Sequence, residues 1–385
     1  MADQKRTAGW LPLTHIHSKG ERSTASALEK ALAQEGREDR HTHGFHTYPA
    51  GLHPETARAL LEHLPGDTLY DPFCGGGTSL VEGMLDGRET FGSDISPVAI
   101  GIASARTRLW TPERITKFRS ASRRIAKDAQ ENEEFPPPFI VARVKPWYEP
   151  HVALELEGIR RGIAESDPEV RAALELVLSS ILIKVSLRRS DTSPQRVERT
   201  RPLGTTAILF HKKARELGRR WGALAADVPE ETPQAQIAQV SGLEGDPPAL
   251  VHSILTSPPY PGVYDYLPFQ QLRLAWLNWD SPEIWNQEMG SRRAFLKSPR
   301  EALFNWNEDL RTWLTRVPHQ LHRNGRAAIV IGDGVMENRV ISVLKPLTQE
   351  AKDAGLKVIA SASGGRQDMG TGLMREEHIL LVEKS

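Results

Sequence analysis

The tetrapeptide Ser257-Pro258-Pro259-Tyr260 combines chemical groups that rarely occur together in so short a stretch. It follows an apolar run, residues 249–255, that predicts a buried strand. Neither proline has a backbone N–H, so the turn offers carbonyl acceptors with few competing donors, and each proline keeps the preceding residue extended. The Ser257 hydroxyl adds a polar group, and the Tyr260 ring offers a flat face. Such a turn suits a ligand with an exocyclic amino group on a planar base.

A second segment has the composition of a ligand-binding loop. The sequence from Asp71 to Thr78, DPFCGGGT, follows a short predicted strand at residues 66–70 and precedes a predicted helix. Glycines let the backbone approach a ligand closely, and a strand, a Gly-rich turn and a helix N-terminus typically bind an adenosine-type cofactor. The G-x-G-x-x-G fingerprint of dinucleotide sites is absent. A second predicted strand ends in Asp94, about 20 residues further on, where an acid typically binds ribose hydroxyls.

Together these segments resemble the DNA amino-methyltransferases, which methylate N4 of cytosine or N6 of adenine. SPPY is similar to their catalytic motif, and a leading serine is more typical of the cytosine branch. DPFCGGGT is similar to their cofactor loop, with Gly76 where serine is commoner. The resemblance implies four catalytic residues: Ser257, Pro258, Pro259 and Tyr260. It also implies that S-adenosyl-L-methionine is the cofactor, bound by Asp71, Pro72, Phe73, Gly75, Gly77, Thr78, Asp94, Ile95 and Asp246.

The implied reaction moves a methyl group directly to an amino nitrogen, preferably cytosine N4, of a base flipped out of DNA. Ser257 and the Pro258 carbonyl would accept the amino hydrogens, and Tyr260 would hold the base face, with support from Tyr264 and Tyr266. Methylation at cytosine C5 needs a cysteine nucleophile, but the single cysteine lies in the cofactor loop. Three alternatives stay open: an adenine-N6 enzyme, an RNA or tRNA amino-methyltransferase, and an inactive nucleic-acid-binding scaffold.

A helical insertion is predicted between the cofactor-binding and catalytic parts, at residues 111–231, with helices at 150–164, 168–186 and 205–224. Residues 184–220 contain eleven Lys and Arg against three Asp and Glu, although the chain as a whole has no net charge. Phosphate contacts dominate DNA affinity, so this segment predicts a target-recognition surface. The predicted nucleic-acid-binding residues are Arg188, Arg189, Arg196, Arg199, Arg201, Lys212 and Lys213.

Length and composition limit the remaining classes. A chain of 385 residues has room for about two domains, and one cysteine excludes a disulfide framework and fits a reducing cytoplasm. The N-terminus lacks a signal-peptide segment, and no apolar run is long enough to span a membrane. Methyl transfer from a sulfonium needs no metal, so no metal site is predicted at the four histidines His41, His43, His46 and His53.

The fold class expected from these segments is α/β, a seven-stranded Rossmann-like methyltransferase sheet with a mostly helical insertion. Four regions are predicted along the chain: a flexible arm at 1–40, the cofactor-binding core at 41–110, the insertion at 111–231 and the catalytic core at 232–385. The last two strands, at 356–362 and 378–383, are expected to form an antiparallel pair. DNA is the expected partner, as for the enzymes of restriction-modification systems.

Overall fold

The computed structural model of the chain describes residues 13–36, 38–49, 51–279, 282–367 and 372–385. The strands in this part are β1 (Thr14–Gly20), β2 (Thr68–Asp71), β3 (Glu89–Asp94), β4 (Arg188–Ser190), β5 (Ser193–Arg196), β6 (Gln236–Gln239), β7 (Val251–Thr256), β8 (Leu321–Gly332), β9 (Gly334–Met336), β10 (Arg339–Ile341), β11 (Leu356–Gln367) and β12 (Met374–Lys384).

The helices alternate with these strands in the core and follow one another in the insertion. They are α1 (Arg22–Leu32), α2 (Pro54–Leu61), α3 (Thr78–Leu85), α4 (Pro97–Arg106), α5 (Pro112–Gln130), α6 (Pro138–Val144), α7 (Pro150–Ala164), α8 (Pro168–Val185), α9 (Thr205–Asp227), α10 (Tyr266–Leu277), α11 (Pro282–Asn286), α12 (Arg292–Lys297), α13 (Pro299–Gln320) and α14 (Leu344–Asp353). None of the helices in the described ranges is long and apolar enough to cross a membrane.

Eight of the described strands form one sheet in the order β1-β11-β12-β8-β7-β2-β3-β6. The strands from β8 to β6 run parallel, whereas β12 is antiparallel to both of its neighbours. Seven of these strands are the predicted α/β methyltransferase sheet, including the expected antiparallel pair β11 and β12. Because parallel strands all end at the same edge, the loops after β2, β3 and β7 meet there.

Successive residues of the central strands point into different cores, as the two-residue period of a strand requires. Ile254 of β7 packs on one face with α13 and α14, and the next residue, Leu255, packs on the other face with α1 and α2. Leu380 and Leu381 of β12 divide in the same way. The sheet is therefore covered by helices on both sides, which explains why β7 is buried almost throughout.

The prediction of a flexible arm over residues 1–40 is wrong for the described part of that segment. β1 pairs antiparallel with β11 as an added edge strand, and α1 buries Leu28 and Leu32 against the sheet. The hydrophobicity of successive residues in β1 alternates too weakly to predict a strand, because an edge strand buries little of its surface. Residues 1–12 lie outside the described ranges.

The insertion forms a helical unit whose core continues into the catalytic part. The three predicted helices are present as α7, α8 and α9, and α5 and the β4–β5 hairpin were not predicted individually. Buried Glu155 of α7 accepts hydrogen bonds from the N–H groups of Gly204 and Ala207, at 2.8 and 2.9 Å, and so caps α9. Leu272 and Trp276 of α10 pack in the same core as α5 to α9.

Candidate active site

The glycine-rich loop between β2 and α3 has the tight backbone expected of a ligand-binding turn. Gly75 and Gly77 have φ values of 47° and 74°, a region that favours glycine. A Cβ on Gly77 would lie 2.9 Å from that of Ala103, so the loop could not pack on α4 with any side chain there. The buried Arg106 guanidinium donates to the carbonyls of Gly76 and His43, at 2.9 and 2.7 Å, and thereby fixes the loop from behind.

Two carboxylates lie at the strand ends beside this loop. Asp94 accepts hydrogen bonds from the N–H groups of Gly75 and Ser96, at 3.0 and 2.8 Å. Asp71 accepts from the Phe73 N–H at 3.1 Å and also from the Ser79 hydroxyl. Burial raises the pKa of each carboxyl to about 6, although these hydrogen bonds oppose the shift. Each oxygen can accept more than one hydrogen bond, so Asp94 can also receive hydroxyls of a ligand.

The SPPY turn is joined to the cofactor loop by a direct contact. The hydroxyl of Thr256, the last residue of β7, donates to Asp71 at 2.6 Å. The Trp306 indole N–H donates to the Pro259 carbonyl at 3.0 Å and so holds the turn from the α13 side. Within the described ranges no donor contacts the carbonyl of Pro258, a buried residue that flanks the cleft.

One cleft joins the two motifs and encloses about 910 Å³, counting the open space at its mouth. The predicted residues that line it are Asp71, Phe73, Gly75, Thr78, Asp94, Ile95, Ser257 and Pro259. The charged acceptor of Asp94 and the apolar side chains of Ile95 and Leu243 suit a ribose and an adenine ring respectively. A Cβ on Gly242 would lie 2.5 Å from the Pro72 carbonyl, so this wall also requires glycine. The residues present therefore fit an adenosine-type cofactor.

Tyr260 lies beside the cleft and is held by the neighbouring strands. A Cβ on Gly332 of β8 would lie 2.6 Å from its ring, so that glycine makes room for the tyrosine. The Tyr260 hydroxyl donates to Glu377 at 3.1 Å, and Arg366 pairs with the same carboxylate at 2.7 Å. Burial and the Glu377 charge raise the pKa of Tyr260, while a hydrogen bond with Ser257 opposes that shift. The phenol is thus neutral and fixed in orientation.

Comparison with known proteins agrees with this geometry. A family model described as UPF0020, RMKL-like, methyltransferase domain, matches residues 40–132, which include the cofactor loop and Asp94. The Type II methyltransferase M.MvaI of Kocuria varians is 26% identical over 261 residues, which cover 62% of this chain and 58% of that protein. The chain is similar to Type II methyltransferases. Both the resemblance predicted from the motifs and its cofactor, S-adenosyl-L-methionine, are confirmed.

A second Type II methyltransferase and a solved structure were also found to be similar to this chain. The Type II methyltransferase M.MjaII of Methanocaldococcus jannaschii is 34% identical over 89 residues, 23% of this chain and 17% of that protein. This chain therefore spans less than two thirds of the length of either Type II methyltransferase. The rRNA methyltransferase aviRa from Streptomyces viridochromogenes is 14% identical, with a TM-score of 0.32 and 94% of each chain covered. The Rossmann-like assignment rests on the strand order.

Several residues of the cleft were missed by sequence reasoning because they lie outside both motifs. Tyr48 stacks on Tyr266, with ring centroids 6.0 Å apart and planes 15° apart, and both rings line the cleft. Tyr264 contacts Tyr266 at 5.7 Å, so the two predicted tyrosines lie together. Gln287, Glu288 and Met289 form another part of the lining. The glycine that follows β6, Gly242, was the one signal in the sequence that could have predicted this wall of the cleft.

Five of the residues predicted to be catalytic or cofactor-binding do not line the cleft: Pro72, Gly77, Pro258, Tyr260 and Asp246. The first four belong to the motifs and flank it, but Asp246 lies elsewhere. Its carboxylate is 60% exposed and pairs with Arg316 at 2.6 Å, and it accepts a hydrogen bond from Gln320. The prediction of Asp246 beside the cofactor is therefore wrong. The turn at 241–245 brings Ser241, Gly242 and Leu243 to the cleft before the chain reaches the acid.

The basic residues of the insertion divide into two groups. Arg188 is 7% exposed and stacks over Trp147, and Arg199 and Arg201 donate to the Lys184 carbonyl at the end of α8. Lys213 pairs with Glu216. These four side chains serve the insertion itself, and the prediction that they bind phosphate is not supported by their contacts. The exposed members of the predicted set are Arg189, Arg196 and Lys212.

Contacts within the protein also account for the histidines of the N-terminal segment. His43 is bonded to Glu82 at 2.7 Å and His46 to Ser179 at 2.9 Å. Burial lowers the pKa of both imidazoles. His53 accepts a hydrogen bond from the Glu55 N–H at the start of α2. Over the described ranges, three residues could together hold a metal ion, Asp333, Glu376 and His378, and none of the four histidines is among them.

Proposed function

We propose that this chain is a DNA methyltransferase that modifies an exocyclic amino group, with cytosine N4 as its target. The observation that carries the proposal is the hydrogen bond from Thr256 to Asp71, which joins the ends of β7 and β2. β2 and β7 are neighbouring parallel strands, and Ser257 and Pro259 line the same cleft as Asp94 and the glycine loop. A cofactor held by the loop would then present its reactive end to a base held by the SPPY turn.

The chemistry at the turn follows from its acceptors. S-adenosyl-L-methionine, when bound, supplies a methyl group whose bond to sulfur breaks as its bond to nitrogen forms. The Ser257 hydroxyl and the Pro258 carbonyl accept the two amino hydrogens and so direct the nitrogen lone pair at the methyl carbon. The nitrogen then loses a proton to water. No covalent enzyme intermediate is required, in keeping with a buried Cys74 thiol whose pKa is raised by burial.

The base would be supported by aromatic side chains on this side of the cleft. Tyr260 is oriented by Glu377 and packs one side of its ring against Gly332. A flipped base can stack on the other side, as bases do on aromatic platforms. Tyr266 lines the cleft nearby and can contribute a second surface.

DNA is proposed as the substrate because the curated relatives are Type II methyltransferases. The leading serine of the SPPY motif favours cytosine N4, since it is typical of that branch. The exposed cations Arg189, Arg196 and Lys212 are proposed to contact the phosphate backbone on the insertion side.

The experiment is to incubate the protein and S-adenosyl-L-methionine with DNA of mixed sequence, digest the DNA to nucleosides and identify the methylated product by mass. N4-methylcytosine is expected. N6-methyladenine would move the target to adenine, and a product found only with RNA would replace the substrate. Absence of any methylated nucleoside with both nucleic acids would overturn the proposal, provided that the cofactor binds.

A further inference from the structure

We propose that the segment Ser291–Arg300, which includes α12, is a second DNA-backbone surface on the side of the SPPY turn away from the insertion. This inference rests on the proposed function and goes beyond it, because neither the motifs nor the basic insertion includes this segment. Its ten residues contain four cations and no acid. We call the exposed side chains of Arg292, Leu296, Lys297 and Arg300 the α12 surface.

The α12 surface is attached directly to the loop that follows Tyr260. The Arg292 N–H donates to the Tyr264 carbonyl at 3.0 Å, and the Gly262 N–H donates to the Gly290 carbonyl at 3.0 Å. Met289, three residues before Arg292, lines the cleft. The position of this surface is therefore set by the same backbone that shapes the base side of the cleft.

The charges of this segment differ in whether they are used inside the protein. Arg293 pairs with Glu288 at 2.6 Å and stacks over Trp285 at 4.8 Å, so it is a structural cation. Within the described ranges, the side chains of Arg292, Lys297 and Arg300 have no ion-pair or hydrogen-bond partner. Three unpaired cations around a leucine that is 74% exposed suit a ligand with anionic groups and apolar sugar edges.

The two basic regions lie on different sides of the turn. Gly262 lies next to Phe295 of α12 and also next to the Val335 carbonyl, just beyond the end of β8. α12 therefore lies on the β8 side of the SPPY turn. The insertion packs through α8 against α4, which follows β3, and its hairpin is fixed to α10 by the ion pair of Asp191 with Arg273. A duplex with its target base in the cleft would extend past both regions.

Two paired variants test this inference by DNA binding measured as a function of salt. Arg292→Gln with Lys297→Gln removes two unpaired charges beside the turn. The control, Arg323→Gln with Lys357→Gln, removes two exposed charges at the starts of β8 and β11, at the opposite edge of the sheet. Each phosphate contact contributes about 0.9 to the salt slope, so the first variant should lower the slope by about two and weaken binding about tenfold. The control should bind as the wild type does.

A second readout locates the contacts on the DNA. In phosphate-ethylation interference, the Arg292/Lys297 variant should lose contacts with DNA phosphates that the double variant Arg189→Gln with Arg196→Gln retains. Cofactor affinity should be unchanged in both, which shows that each protein is folded.

A wild-type salt slope and DNA affinity in the Arg292/Lys297 variant would overturn the inference and leave the proposed function standing. Loss of a dimer in that variant, with DNA binding intact, would overturn it in favour of a second copy of the chain. A wild-type protein that methylates no DNA would instead overturn the proposed function.

Discussion

Charged residues at the edge of the sheet and charged residues of the insertion serve different purposes. Asp71 and Asp94 accept backbone N–H groups from the cofactor loop and still face a cleft. Arg199 and Arg201 of the insertion also contact backbone groups, but those carbonyls end α8 and do not line the cleft between the two motifs. A charged residue therefore indicates a ligand site only where it still faces a cleft or solvent after its contacts within the protein are made.

The largest effect is expected at the cleft, for loss of the acid at the end of β3. Asp94→Ala should weaken S-adenosyl-L-methionine binding by roughly 1–3 kcal/mol, because ribose hydroxyls lose a charged acceptor. Asp246→Ala is the matched control, since Asp246 pairs with Arg316 away from the cleft, and its affinity should equal that of the wild type. Calorimetric titration measures both. Equal affinities for wild type and Asp94→Ala would remove Asp94 from the cofactor site.

This contrast also explains what could be predicted from the sequence. The loop at 71–78 and the turn at 257–260 follow strands as predicted, because glycine-rich turns and consecutive prolines restrict the local backbone strongly. Asp246 was misplaced because the short turn at 241–245 brings Gly242 to the cleft and carries the chain away from it before Asp246. Tyr48 was missed because its position depends on packing between distant parts of the chain. β1 was missed because its partner, β11, is more than 300 residues away in sequence.

The insertion should show two kinds of arginine when charges are removed in pairs. Arg189→Gln with Arg196→Gln removes exposed cations and should weaken DNA binding about tenfold, with a salt slope lower by about two. Arg199→Gln with Arg201→Gln removes the donors at the end of α8 and should instead lower the free energy of unfolding by about 1–3 kcal/mol. Anisotropy titrations and urea denaturation distinguish them. If both pairs change only the salt slope, the division into two groups is wrong.

The pH dependence of cofactor binding should be the smallest effect. Burial raises the pKa of Asp94 to about 6, and only the ionised carboxylate accepts both ribose hydroxyls well. Affinity should therefore be constant above about pH 7 and decrease as the pH falls through about 6, by a few-fold. Asp94→Asn should remove the part of this dependence that Asp94 contributes, at a lower affinity, and leave the part due to Asp71, whose pKa burial also raises to about 6. A wild-type profile that stays flat from pH 7 to about pH 5 would show that Asp94 does not titrate in the site.

In the proposed function, the glycine loop binds the cofactor and the SPPY turn binds the amino group that receives the methyl. Single-turnover methylation and cofactor titration of Ser257→Ala and Tyr260→Ala test it together. The substitutions delete an acceptor and a stacking face, the latter worth about 1–3 kcal/mol, so transfer should slow while cofactor affinity stays near that of the wild type. If Tyr260→Ala transfers methyl at the wild-type rate, the turn does not bind the target base and the account is wrong.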